Sequence, residues 1–123
     1  MPRSAATAER AFDALGDPTR RRVFRLLQGG ERSVGDLAAE LPVSRPAVSQ
    51  HLRVLKDGGL VIDQAIGTRR VYRPNPDGVA ALRAWLDRVW EDALTSFQKA
   101  AEAHNDASRH SQAAPDHGQE VQP

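Results

Sequence analysis

A mainly α-helical domain closed by one small β-hairpin is the fold class this sequence predicts, on three observations. Residues 33–60 hold two short segments of helical apolar spacing separated by a Pro42-Val43 turn. Residues 61–73 are rich in β-branched and aromatic side chains on both sides of a Gly67-Thr68 bend. From Pro76 onward, Val79, Leu82, Leu86, Val89, Ala93 and Phe97 recur along one face of a long helix, broadened by Trp85, Trp90 and Leu94.

Taken in order, the first element is a helix near the N-terminus with Ala8, Ala11, Phe12 and Leu15 as its apolar positions. The second starts at Asp17-Pro18-Thr19, where Asp17 caps and Pro18 occupies the first helical position, in which a missing N–H costs nothing. Val23, Phe24, Leu26 and Leu27 form its buried face. Arg20, Arg21, Arg22 and Arg25 crowd its start and outer side, and either phosphate contact or packing suits them. The third helix has Ser33 as cap, Asp36 in the first turn and Val34, Leu37, Ala38 and Leu41 at packed spacing. Ser44 caps the fourth, Pro46 lies in its first turn, and Asp57-Gly58-Gly59 ends it through a left-handed conformation.

The fourth helix carries the functional signal. Val48, Leu52 and Leu55 recur at i, i+4 and i+7, so this stripe faces the core. The opposite face is left to Pro46, Ser49, Gln50 and Arg53, flanked by Arg45 and Lys56, and no acid occurs until Asp57. An ordinary solvated face would carry Glu/Lys pairs; hydroxyl, amide and guanidinium groups are the ones that read base edges and hold phosphates. Two short helices in this arrangement are a helix-turn-helix. The hairpin that follows reads as a wing. Val71 and Tyr72 are expected to point inward, while Arg69, Arg70 and Arg73 face phosphates or a minor groove.

Three stretches in this order, ALGDPTRRRVFRLL (14–27), SRPAVSQHLRVLKDGGLV (44–61) and GTRRVYRPNPDGVAALRAWL (67–86), resemble the ArsR/SmtB family of bacterial winged helix-turn-helix repressors, with the likeness running from Phe12 to about Phe97. The resemblance implies a homodimer with helices from both chain ends at the interface and two recognition helices in successive major grooves. It lies nearest the branch that lacks metal-binding cysteines and often represses its own promoter. Family members that sense metal use a cysteine pair in the first helix of the motif, or Asp/His and His/Glu groups on the last helix. Here the matching segment is SVGDLAAEL, with no thiol. Asp87, Glu91, Asp92 and His104 occur late in the chain, but no histidine pair has the spacing of a tetrahedral site. His51 is read as bridging core and phosphate, and His110 and His117 as solvated.

Charge and composition agree. The 123 residues suit one domain, and a 40% apolar content supports a small core. There is no Cys, no secretory pattern and no long apolar run, so a soluble cytoplasmic protein without membrane association is expected. The net charge of +1 divides unevenly: residues 17–73 hold 11 Lys/Arg against 6 Asp/Glu, and residues 74–123 hold 4 against 8. Positive charge is thus concentrated in the segment that would meet DNA. An enzyme is not expected, because Ser49, Gln50 and His51 face different ways and no phosphate loop exists. A winged-helix protein-interaction module, the other class, would not need so basic a surface.

The sequence therefore predicts a dimeric transcription regulator, most simply a repressor, that binds an inverted-repeat operator in double-stranded DNA and needs no cofactor or metal; the alternative is a repressor that responds to a metal or another ligand at an unrecognised site. The expected DNA contacts are Ser44, Arg45, Pro46, Ala47, Ser49, Gln50, His51, Arg53 and Lys56, with Thr68, Arg69 and Arg70 from the wing. The expected dimer interface is Phe12, Leu15, Leu82, Leu86, Val89, Trp90, Ala93 and Phe97. Residues 1–104 form the DNA-binding and dimerisation domain, and residues 105–123, polar and poor in apolar groups, are expected to be a disordered tail.

Overall fold

The computed structural model describes residues 2–120, with side chains for residues 5–109. Its elements are α1 (Pro2–Ala14), α2 (Pro18–Gln28), β1 (Arg32–Ser33), α3 (Val34–Glu40), α4 (Arg45–Asp57), β2 (Val61–Ile66), β3 (Arg69–Pro74) and α5 (Pro76–Glu120). The chain divides into two units, residues 1–86 and 87–123. None of the described helices is long and apolar enough to cross a membrane.

Local chemistry accounts for the boundaries in the first unit. The Asp17 carboxylate accepts from the Arg20 N–H at 2.9 Å, and Pro18 starts α2 behind it. At α3 the Ser33 hydroxyl accepts from the Asp36 N–H at 3.1 Å, while the Asp36 carboxylate accepts from the Ser33 N–H at 3.2 Å. This reciprocal pair is a capping box with aspartate in the acidic position. Ser44 caps α4 by accepting from the Ala47 N–H at 3.3 Å.

The exit from α4 differs from the sequence expectation in one respect. Only Gly59 takes a left-handed conformation, with φ +79°; Gly58 remains helical at φ −81°. Gly58 is needed for contact: a Cβ there would lie 3.2 Å from the Cα of Ala11 and 3.3 Å from the Arg10 carbonyl oxygen. The alanines of α1 face the same way, with Ala8, Ala11 and Ala14 all buried. Small residues on both sides let two backbones approach.

The core of this unit is one cluster. Val23, Phe24 and Leu27 of α2, Leu37 and Leu41 around α3, and Val48, Leu52 and Leu55 of α4 meet Leu60, Val61 and Leu82. Val48, Leu52 and Leu55 are fully buried, so the stripe read from the sequence is the inner face of α4. The sheet order is β1-β3-β2, antiparallel throughout. The two-residue strand β1, paired to Tyr72 and Val71, is too short to leave a periodic signal. Tyr72 and Val71 do not share a face, since neighbours along a strand alternate. Val71 is buried, and Tyr72 is half-buried against the helical core.

α5 runs from Pro76 to Glu120, so the boundary expected at residue 104 falls inside a helix. From Asn105 to Ala114 no Pro or Gly interrupts the helix, although Asn105, Asp106, Ser108 and Ser111 lend it little intrinsic propensity. Asp106 and Arg109 sit one turn apart at 3.9 Å. Residues 121–123 of the expected tail lie outside the described residues.

The start of α5 is locked to the end of α4. Asn75 donates from its backbone N–H to the Leu60 carbonyl at 2.8 Å and from Nδ2 to the Gly59 carbonyl at 3.0 Å. Gly78 faces that same carbonyl, and a Cβ on it would lie 1.7 Å from the Gly59 oxygen. Gly78→Ala is therefore expected to destabilise the fold by about 1–3 kcal/mol, the range for forced overpacking. For a domain of this size that lowers the melting temperature by about 4–8 °C per kcal/mol. Thermal unfolding followed by circular dichroism measures it, and an unchanged midpoint would contradict the close approach.

Candidate nucleic-acid interface

The packing of α4 decides what its other face can do. With Val48, Leu52 and Leu55 turned inward, Ser44, Arg45, Pro46, Ser49, Gln50, Arg53 and Lys56 are exposed. Ala47 and His51 are half-buried at the edge of that face. All nine residues expected on α4 and its cap thus share one side of the helix or its margin.

His51 does not stand free. Its Nδ1 lies 3.4 Å from Nη1 of Arg20, whose Nε donates to the Ala14 carbonyl at 2.7 Å. Arg21 donates to the Leu15 carbonyl at 2.8 Å. These two arginines satisfy carbonyls at the end of α1, so for them the packing role is realised. Arg22 and Arg25 remain exposed.

The wing, β2 and β3, rises beside α4, with Thr68, Arg69 and Arg70 exposed at and after its tip. Its turn depends on Gly67, at φ +63°. Two of its arginines are held by acids, Asp36 at the start of α3 and Asp63 on β2. Arg69 donates through Nη2 to Asp36 at 2.7 Å and to the Ser33 hydroxyl at 2.9 Å, which ties the wing to the cap of α3. Arg70 donates through Nη1 to Asp63 Oδ2 at 2.8 Å, and Lys56 Nζ pairs with Asp63 Oδ1 at 2.9 Å. Arg45, Arg69 and Arg70 line one recess of about 530 Å³ with Ser33, Val34, Gly35 and Asp36. The Arg45 guanidinium lies over Gly35, where a Cβ would stand 3.2 Å from Nη2. A second hollow of about 460 Å³, between α4 and the wing, is lined by Ser49, Leu52, Arg53, Lys56, Asp57 and Tyr72.

Three carboxylates titrate below the ordinary aspartate value. The Arg20 backbone N–H lowers Asp17, and the Ser33 backbone N–H followed by its hydroxyl lowers Asp36, with Arg69 adding to it. The hydrogen bond from Lys56, then that from Arg70, lowers Asp63 against the opposing effect of burial. Among the described residues no group of three or more His, Cys, Asp or Glu side chains is placed to hold a metal ion.

The residues expected at the dimer interface divide into covered and uncovered. Leu82 is buried in the core of the first unit, and Leu15 packs partly against it. Phe12 contacts Trp85 with ring centroids 5.6 Å apart, yet Phe12 stays 51% exposed; Leu86 is also exposed. In the second unit Val89, Trp90, Ala93 and Phe97 are exposed, Trp90 at 65% and Phe97 at 73%.

A helix-turn-helix whose second helix turns a polar face outward, free of acid up to its last residue Asp57, beside a basic hairpin defines a winged helix-turn-helix domain. The family described as "Helix-turn-helix domain" matches residues 15–64. The chain is 53% identical over 98 residues to the HTH-type transcriptional regulator Rv2034 of Mycobacterium tuberculosis, covering 80% of this chain and 92% of that one. It is 33% identical over 93 residues to the arsenical resistance operon repressor of Escherichia coli, covering 75% and 76%. The solution structure of the homodimeric winged helix-turn-helix DNA-binding domain Mb0332 of Mycobacterium bovis, a possible ArsR-family regulator, superposes with a TM-score of 0.58. That match has 33% identity and covers 71% of this chain and 81% of that one. The protein belongs to the ArsR/SmtB family of transcriptional regulators.

The depressed carboxylates set an acid limit. A group whose folded pKa lies below its unfolded value of 3.8 adds stability that is fully present above that value and is lost as pH falls through the folded one. Stability should therefore decline progressively below about pH 5. Replacing Asp17, Asp36 and Asp63 together by Asn should flatten that decline; urea unfolding from pH 7 to 3 measures it, and an equally steep loss would contradict the assignment.

Proposed function

We propose that this protein is a homodimeric repressor that occupies an inverted-repeat operator in double-stranded DNA, its own promoter being the first candidate. It acts by binding rather than catalysis, in the cytoplasm, and without the metal site of the family's sensors. The observation that carries the reading is α4: exposed Arg45, Ser49, Gln50 and Arg53 project from a helix anchored by a fully buried face, with no acid from Ser44 to Lys56. Ser49, Gln50 and Arg53 read bases. Ser44, Arg45, Pro46, Ala47, His51 and Lys56 surround them as base or phosphate contacts, and Thr68, Arg69 and Arg70 reach the backbone from the wing. Residues 1–104 make up the DNA-binding and dimerisation part, and the chain beyond them is not required for either.

The exposed aromatic and aliphatic residues Phe12, Leu86, Val89, Trp90 and Phe97 support dimerisation, as does the homodimeric Mycobacterium bovis relative. A two-fold dimer meets its operator as an inverted repeat with half-sites about one helical turn or a multiple apart.

Binding of the purified protein to its own upstream DNA and to a scrambled duplex, across a salt series and with and without zinc, tests the central reading. Preference for the upstream DNA that weakens with salt and ignores zinc is expected; no preference at any salt would overturn it. Gln50→Ala or Arg53→Ala should cost about 1–3 kcal/mol and relax the preference at one operator position. Equal losses on operator and scrambled DNA would sink base reading by that residue. Trp90→Glu should convert the dimer to monomer in sedimentation experiments, and an intact dimer would show that the interface lies elsewhere.

A further inference from the structure

Asp63 is an acid in a place where DNA affinity alone would not put one. It lies on β2, its side chain only 13% exposed, beside the surface that a polyanion would approach. A negative charge there repels phosphate on every sequence. What it supplies in return is order. Its two oxygens are divided between Lys56, in the last turn of α4, and Arg70, on β3. The two cations remain 53% and 57% exposed, so their charges stay at the surface while their tips are fixed. The hairpin register makes this possible: Asp63 pairs with Tyr72 and Ala65 with Arg70, which places Asp63 and Arg70 diagonally on one face of the wing. One carboxylate therefore ties the reading helix to the wing.

We infer that Asp63 is a positioning residue for operator specificity: by bridging Lys56 and Arg70 it holds recognition helix and wing in one register against the DNA backbone, while lowering affinity for DNA of any other sequence. This rests on the DNA-binding reading above. Long cations released from the carboxylate can find phosphates in many registers, which strengthens random binding. On the operator they must be ordered during binding, which lowers discrimination. The cationic ends of the pairs are exposed, and a ratio of two DNA affinities measured on one folded protein separates the effect from whatever stability the pairs add.

The test uses the full-length protein with Asp63→Asn and Asp63→Glu, and fluorescence anisotropy on the upstream operator and a scrambled duplex across a potassium chloride series. Asp63→Asn should bind the scrambled duplex several-fold more tightly, with a salt slope steeper by about one unit. Its operator-to-scrambled ratio should fall about tenfold, measured at a temperature where circular dichroism shows both variants folded. Asp63→Glu, which retains the charge, should restore most of the ratio. An unchanged ratio and slope in Asp63→Asn, or affinity for both duplexes reduced by one common factor, would overturn the inference. If DNA binding itself is the wrong reading, the wild-type protein alone reveals it by showing no preference between the duplexes, and both ideas fall together.

Discussion

Everything on the reading surface depends on the burial of one side of α4. Val48, Leu52 and Leu55 are fully buried against Leu27 and Phe24 of α2, Leu37 of α3 and the Leu60-Val61 corner. Each such side chain contributes about 1.5–3 kcal/mol relative to exposure, so the rotation of α4 about its axis is not free. Because the helix cannot turn, the polar residues at the intervening positions are presented to solvent as a fixed set. The short partners follow from the same constraint. Ala11 and Gly58 let α1 meet the end of α4 backbone to backbone, and Gly78 lets α5 begin against the Gly59 carbonyl.

The wing is held from both sides by charge. Arg69 is drawn to the α3 cap by Asp36 and Ser33, while Asp63, which holds Arg70 within the wing, is drawn to α4 by Lys56. Neighbouring residues on a strand point oppositely, so two adjacent arginines brace opposite faces of one hairpin. Exposed pairs of this kind add little to stability, but they restrict the directions in which long side chains project. The positive balance of residues 17–73 is correspondingly less free than a count suggests, since part of it is matched at contact distance.

Much of the architecture was legible because its signals are local. Asp17, Ser33 and Ser44 each sit where a hydroxyl or carboxylate can meet an N–H three residues on, and each is observed as a cap. The Gly67-Thr68 bend set the hairpin to within a residue. The candidate site was legible in its cations and amides, which follow from helical phase, but not in Asp63 or in the hold that Ser33 and Asp36 have on Arg69. Asp63 and Arg70 could have been matched from hairpin register; Lys56 could not, because the approach of α4 to the wing is tertiary. The helix past residue 104 leaves no apolar stripe in the sequence, because α5 there carries polar residues that periodicity cannot register.

The sequence by itself determined the helices α1 to α4, the β2–β3 hairpin and the start of α5, and which face of each helix is apolar, because those properties are written in short spacings along the chain. Tertiary structure alone decided which apolar residues the first unit consumes, burying Leu82 and half-covering Trp85 while leaving Phe12 exposed, and which arginines are bound by acids. It alone required Gly58 and Gly78 for contact rather than for turning. The reason is physical: a cap or a stripe depends on neighbours along the chain, whereas a close approach or an ion pair depends on distances between elements that only packing sets.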